Sequence, residues 1–214
     1  MLVRYCLRIL IALTAIALLG CSGPSSEEDN SVSSPQGVSD VDPSFFTWQQ
    51  SRPYSGDRSD IATTVYAVTY YSALMFRNNA RSRTELKSVT TDHTFAEYRG
   101  TSEHIYPDVR GPQVLRLISI SVDKNESSAT ATWCANRADQ EIRKRGSDRW
   151  IASYANAPYS AYTSKFIKSS QSPTGWRESH VTQRTISNND CAKAFKNDDP
   201  AIKRVGEPQI AFPS

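Results

Sequence analysis

The sequence carries none of the short signatures that would name a reaction. It has no Cys-x-x-Cys pair for zinc or redox chemistry, no His-Glu-x-x-His, no Gly-x-Ser-x-Gly and no glycine-rich phosphate loop. Histidine is scarce, with three in 214 residues, which leaves little imidazole for metal binding or acid–base work. Neither sign of charge dominates: 25 Lys and Arg face 22 Asp and Glu, and two of the basic residues, Arg4 and Arg8, lie in the first twenty positions. Beyond residue 20 the balance is close to neutral, without the clustered basic surface that nucleic acid requires, so no nucleic-acid partner is expected. Long apolar runs are missing as well. Ile9 to Leu19, broken only by Thr14, falls well short of the ~20 apolar residues of a spanning helix.

That short run has another reading. Arg4 and Arg8 before it, and a small residue followed by a polar stretch after it, are the layout of an export signal. The run ends in Leu18-Leu19-Gly20-Cys21. This tetrapeptide resembles the lipobox of bacterial lipoproteins: Leu18, Gly20 and Cys21 fit the pattern, and Leu19 is bulkier than the commonest choice at its place. The resemblance implies that residues 1–20 are a signal peptide cut before Cys21, and that the Cys21 thiol carries a lipid. The protein would then sit on the extracytoplasmic side of a cell membrane, with that membrane as its first partner. Two acyl chains hold a domain stably where one is marginal. An ordinary secretory signal and an uncleaved anchor are the alternatives.

From Ser22 to about Ser44 the residues Ser, Pro, Gly, Glu and Asp dominate, and only three Val are apolar. Such a segment cannot offset its ordering entropy by burial, so residues 21–44 read as a disordered tether with a span of roughly 25–30 Å. Residues 45–214 read as one globular domain, opening with the aromatic cluster Phe45-Phe46-Thr47-Trp48, expected to dock on the domain edge. Ser59 or Asp60 would cap a buried helix over Ile61–Asn78, where Thr69 and Ser72 form a narrow polar stripe. One or two shorter helices follow in 79–106, anchored by Leu86, Val89, Phe95 and Tyr98. Past Pro107 and Gly111-Pro112 the apolar period becomes two. It predicts strands over Val114–Val122 and Ala129–Cys134 joined by a turn at Asp123–Ser127, then a hairpin of Tyr159–Lys168 and Trp176–Ile186. The class is α+β: N-terminal helices packed on a curved antiparallel sheet of four or more strands. This layout over about 60–210 resembles the nuclear transport factor two fold, a cone of sheet over helices, which implies a cavity between helix and sheet.

Four cysteines partition by compartment. Cys6 leaves with the leader, Cys21 takes the lipid, and Cys134 and Cys191 remain in an oxidising space, where a leftover pair usually bridges. The loop model assigns such a bridge about 4 kcal/mol. Two free thiols or a redox pair are the alternatives, and nothing marks either sulfur as activated.

Catalytic residues are not named by the sequence, and no metal or cofactor is implied. Asp92, His93, Glu97, Glu103 and His104 cluster, with His93 and Glu97 at helical spacing, but a polar segment of this kind is usually a solvated surface. Tyr66, Tyr70, Trp133, Tyr162, Trp176 and His180 would line the cavity of a cone, or simply be its core. Glu178 and His180, two apart on a strand, would both face inward. The basic run Arg143-Lys144-Arg145 with Arg149 is a solvated loop or a contact for anionic head groups. Asn125-Glu126-Ser127 and Ser121 to Lys124 are chance motif matches. The expectation is a non-enzymatic binding or interaction module of the cell envelope, taking an envelope protein or a small ligand. A cavity enzyme of the isomerase or cyclase kind is the alternative, and an envelope blocking factor such as a phage-exclusion protein is a third.

Overall fold

A helix that is apolar or small on every face has to be buried on every face. Helix α1 (Asp57–Met75) meets that condition, with each residue from Thr64 to Met75 buried. The computed structural model describes residues 43–77, 82–104, 108–143, 148–152, 158–184, 189–197 and 199–212. The expected leader 1–20, Cys21, the expected tether through residue 42, Lys144 and Arg145 lie outside the described residues. The cap of α1 differs from expectation. Gly56, at φ 55°, takes the N-cap place; its carbonyl accepts from the Ser59 and Asp60 amides, and no side chain caps the helix. Asp57 and Asp60 instead lie in the first turn, where carboxylates complement the helix dipole.

Helices α2 (Ser82–Val89) and α3 (Asp92–His104) are the two short helices expected of 79–106. Around the helices run β1 (Phe46–Gln50), β2 (Asp108–Arg110), β3 (Gln113–Val122), β4 (Ser128–Asn136), β5 (Glu141–Arg143), β6 (Trp150–Ala152), β7 (Tyr159–Lys168) and β8 (Trp176–Arg184). Helix α4 (Asn189–Asn197) and β9 (Ile202–Val205) follow. Six strands form a curved sheet in the order β8-β7-β4-β3-β1-β9, and β2-β5-β6 form a small second sheet. The α+β class is therefore what the chain adopts.

Two features depart from the expected arrangement. The cluster Phe46-Thr47-Trp48 does not dock on an edge: it is strand β1, paired in parallel with β3 and antiparallel with β9. The sheet is consequently mixed. Phe46 and Trp48 are fully buried, and Trp48 stacks on Tyr66 of α1 at 5.2 Å. Helix α4 covers the other face of the sheet, where Cys134, Cys191 and Ala161 form a second small core with Ile118, Tyr159 and Phe195. Arg116 is buried on that face. It donates to Gln49 Oε1 and to the Ala194 carbonyl of α4.

The tail beyond β9 closes over α1. Tyr66 donates to the Gly206 carbonyl at 2.7 Å, Tyr71 donates to Glu207 Oε1 at 3.0 Å, and Phe212 meets the Tyr71 ring edge-on. Bulges set which side chains reach the interior. In β3 the inward residues are Gln113, Leu115 and Leu117, then Ile120, because the register shifts between Leu117 and Ser119. In β8 the register shifts again: Lys165 lies opposite His180 and Phe166 opposite Glu178, leaving Ser179 as the extra residue.

Candidate functional site

The period of a strand places Trp133 of β4 and Tyr162 of β7 on the concave face, opposite the polar stripe of α1. The two rings stack at 4.1 Å with their planes 10° apart. Helix and sheet do not close fully there. A cavity of about 270 Å³ remains, bounded by Thr69, Ser72 and Ala73 of α1 with its C-cap Phe76, Tyr98 and Thr101 of α3, and Trp133, Tyr162 and Val181 of the sheet. Protein interiors leave few voids larger than a water molecule, and a chamber of mixed polarity this size sits near the small end of ligand pockets. The hydroxyls of Thr69 and Ser72 are turned back on their own helix: Thr69 donates to the Val65 carbonyl and Ser72 to that of Thr69. They line the wall without being held out to a ligand.

Two guanidinium groups reach the cavity. Arg77 follows the C-terminus of α1, lies over the Phe45 ring at 4.3 Å and donates to the Gly111 carbonyl at 2.8 Å. Burial pulls its pKa down to about 10, which leaves it charged at neutral pH. Gly111 can supply that carbonyl because it has no side chain. Its φ is 89°, and a Cβ there would meet the Asp139 carbonyl oxygen at 2.2 Å. Arg137, on the opposite wall, donates to the Tyr162 hydroxyl at 2.6 Å. Gln113 and Gln140, both buried, share a hydrogen bond at 3.3 Å beside them. Glu97 adds one carboxylate at the rim, 3.4 Å from His93.

Behind the wall lies a carboxyl with almost no exposure. Glu178 accepts from the Tyr98 hydroxyl at 2.9 Å and is hydrogen-bonded to Ser164, which also accepts from the Trp133 indole at 3.3 Å. Burial pushes the Glu178 pKa up to about 7 and the nearby Glu97 charge adds to the rise, while the bonds from Ser164 and Tyr98 oppose it. Burial and the Glu178 carboxylate hold the Tyr98 phenol well above its ordinary range. Sequence places Glu178 inward and Tyr98 as an anchor, but nothing in it pairs the two. The pair's one sequence signal was an acidic residue inside an otherwise strand-like run.

The other expected residues separate. Tyr66, Tyr70 and Trp176 are buried in the core and do not line this cavity. His180 is exposed and bonds Thr182, because the bulge at Ser179 reverses its face relative to Glu178. His93 and Glu97 do meet on α3, at 77% and 47% side-chain exposure, so their pair is a solvated one. The side chains of Glu103 and His104 lie outside the described residues, and among the described residues no three His, Cys, Asp or Glu side chains are placed to hold a metal. Arg143 is on strand β5, not in a loop, and shares the Trp150 ring with Arg110 at 4.8 and 4.3 Å. Cys134 and Cys191 form a disulfide with Cα atoms 5.6 Å apart, tying β4 to α4. Ser121 is exposed at the end of β3, and Asn125 to Ser127 belong to the β3–β4 turn held by Asp123.

No family model and no curated protein matches the chain. The solved structures that match do so at low identity and low TM-score. The intermembrane-space region of the chloroplast protein ARC6 is 10% identical with a TM-score of 0.42, over 61% of this chain and 98% of that one. The TraE protein, in two of its complexes, is 12% and 13% identical with TM-scores of 0.34 and 0.39, over 62% and 63% of this chain and 98% and 100% of the other. Likeness at this level carries no functional assignment.

Proposed function

We propose that the chain is an envelope lipoprotein, anchored through a lipid on Cys21, whose domain binds a small molecule in the cavity beneath α1. One observation carries the binding part: helix and sheet leave about 270 Å³ unfilled between the Trp133–Tyr162 stack and the polar stripe of α1. A domain that serves only to fold gains from closing such a space, because unfilled volume forfeits packing energy. The anchor rests on Leu18-Leu19-Gly20-Cys21 and the polar tether behind it. Among the described residues no helix is long and apolar enough to cross a membrane.

Filling the space tests the reading. Ala73 lies on the cavity wall and is nearly fully buried, so Ala73→Phe places a ring in the chamber. Equilibrium dialysis of the full chain in detergent against 1-naphthamide, with empty micelles as the blank, is expected to show binding that Ala73→Phe abolishes without lowering Tm. A chain that takes up neither this amide nor the matching carboxylate, 1-naphthoate, or a variant that binds as well as the parent, sinks it.

A second reading, the small cavity enzyme, is favoured by the Tyr98 hydroxyl on the cavity wall bonded to the buried Glu178. A carboxyl with a pKa near neutrality is suited to moving a proton at pH 7. Turnover of a bound compound by the parent, lost in Glu178→Gln while binding survives, would establish it. A compound recovered unchanged from both would remove it.

A further inference from the structure

We propose that the cavity takes a small amphipathic organic anion, its acidic group held by Arg77 and its flat apolar part laid against the Trp133–Tyr162 rings. This names the ligand class for the binding reading above and rests on it.

Arg77 is the reason. A guanidinium carries five N–H donors in a planar fork that matches a carboxylate or phosphate edge. Of these, Arg77 gives one to the Gly111 carbonyl, and its flat face rests on Phe45. Among the described residues no carboxylate pairs with it, and burial is the sole cause that moves its pKa, with no anionic neighbour to offset the drop. Partly burying an arginine without a counter-charge is costly, and the cost is recovered when an anion arrives. The rest of the lining agrees. Of the charged side chains there among the described residues, two are cations, Arg77 and Arg137, and one is a carboxylate, Glu97, half-exposed and paired with His93. Two stacked rings, one of them bonded to Arg137, and the apolar side chains of Val109, Ile142 and Val181 complete the lining. A chamber of about 270 Å³ admits an aromatic or short-chain acid but not the two acyl chains of an intact phospholipid.

Arg77 also sits just past the C-terminus of α1, where a cation favours the helix dipole whatever the cavity holds. A purely structural role would move Tm and leave ligand preference alone, so the test reads preference. Sodium 1-naphthoate and 1-naphthamide share one body and differ in charge. In equilibrium dialysis of the full chain at pH 7, naphthoate is expected to bind on the order of tenfold more tightly than the amide. Arg77→Gln is expected to erase that preference by lowering naphthoate affinity to the level of the amide, and Arg77→Lys to restore part of it by keeping the charge without the fork. Equal binding of the two probes by the parent overturns the anion inference and leaves the binding reading standing. So does a preference that survives in both variants. Failure of both probes to bind overturns the inference together with the reading beneath it.

Discussion

At the residue scale, Glu178 is the most exacting feature of the domain. Its carboxyl lies under the sheet, bonded by Tyr98 and Ser164, with a pKa pushed up to about 7 chiefly by burial. The unfolded chain loses this proton near the ordinary glutamate value, whereas the folded protein keeps it until near neutrality. Between those two values the folded state holds more protons, so stability falls as pH rises through that window and levels off above it. The size of the loss is on the order of 3 kcal/mol. Glu178→Gln keeps the shape and the capacity to accept from Tyr98 but cannot ionise. Melting curves are expected to show the variant with a higher Tm than the parent at pH 8 and nearly the same Tm at pH 5. A Tm difference that is the same at both values would mean that Glu178 does not carry the effect. Arg77 shows a different behaviour at the same scale, a cation desolvated without losing its charge, and its consequences are for binding.

Among the elements, α4 depends most on a single link. It lies across β3, β4 and β7 on the face away from α1, and its apolar contacts with the sheet are few: Cys191 and Phe195 against Ile118, Tyr159 and Ala161. The Cys134–Cys191 bridge, 57 residues apart in sequence, and the Arg116 bond to the Ala194 carbonyl supplement them. Replacing both cysteines by serine is expected to cost up to about 4 kcal/mol, read as a lower urea midpoint with both proteins kept under non-reducing conditions. Amide exchange within Asn189–Asn197 should rise more than exchange in β4 or β7, since only the helix loses its tether. Unchanged stability and exchange would show that packing alone seats α4. Strand β1 makes the opposite case. Its five residues bury Phe46 and Trp48 completely and bond to a neighbour on both edges, so no covalent link is needed.

On the scale of the whole molecule, the described residues form one unit in which a central helix is enclosed by sheet, helices and C-terminal tail. Its Cys134–Cys191 bridge suits an oxidising compartment, as export would provide. Cys21→Ser tests the anchor: the parent is expected in the membrane fraction with added acyl mass, and the variant without that mass and largely released. A variant that stays in the membrane, with a parent that shows no acyl mass, would refute the lipoprotein reading. Because the expected tether 21–44 offers only three Val for packing, release should leave the domain's Tm unchanged.

What the chain by itself determined was whatever depends on neighbours in sequence. The expected leader and the expected lipid on Cys21 are read from a linear pattern, which needs no fold. The helix of α1, the strands β3, β4, β7 and β8, and the pairing of the two remaining cysteines followed from periodicity and compartment. Even the Thr69–Ser72 stripe was legible, though not what it faces. Tertiary structure decided the rest. Five residues, Phe46–Gln50, are too short a pattern to announce a strand, and only pairing with β3 and β9 made them one. Period two placed Glu178 and His180 on one face, but the bulge at Ser179 put the first in the core and the second in solvent. The site itself joins Arg77 to Gly111 and Tyr98 to Glu178, partners 34 and 80 residues apart. Alternation along a chain shows which side of an element is apolar. What lies across from that side, and whether the two close or leave a chamber, is set by packing between distant segments.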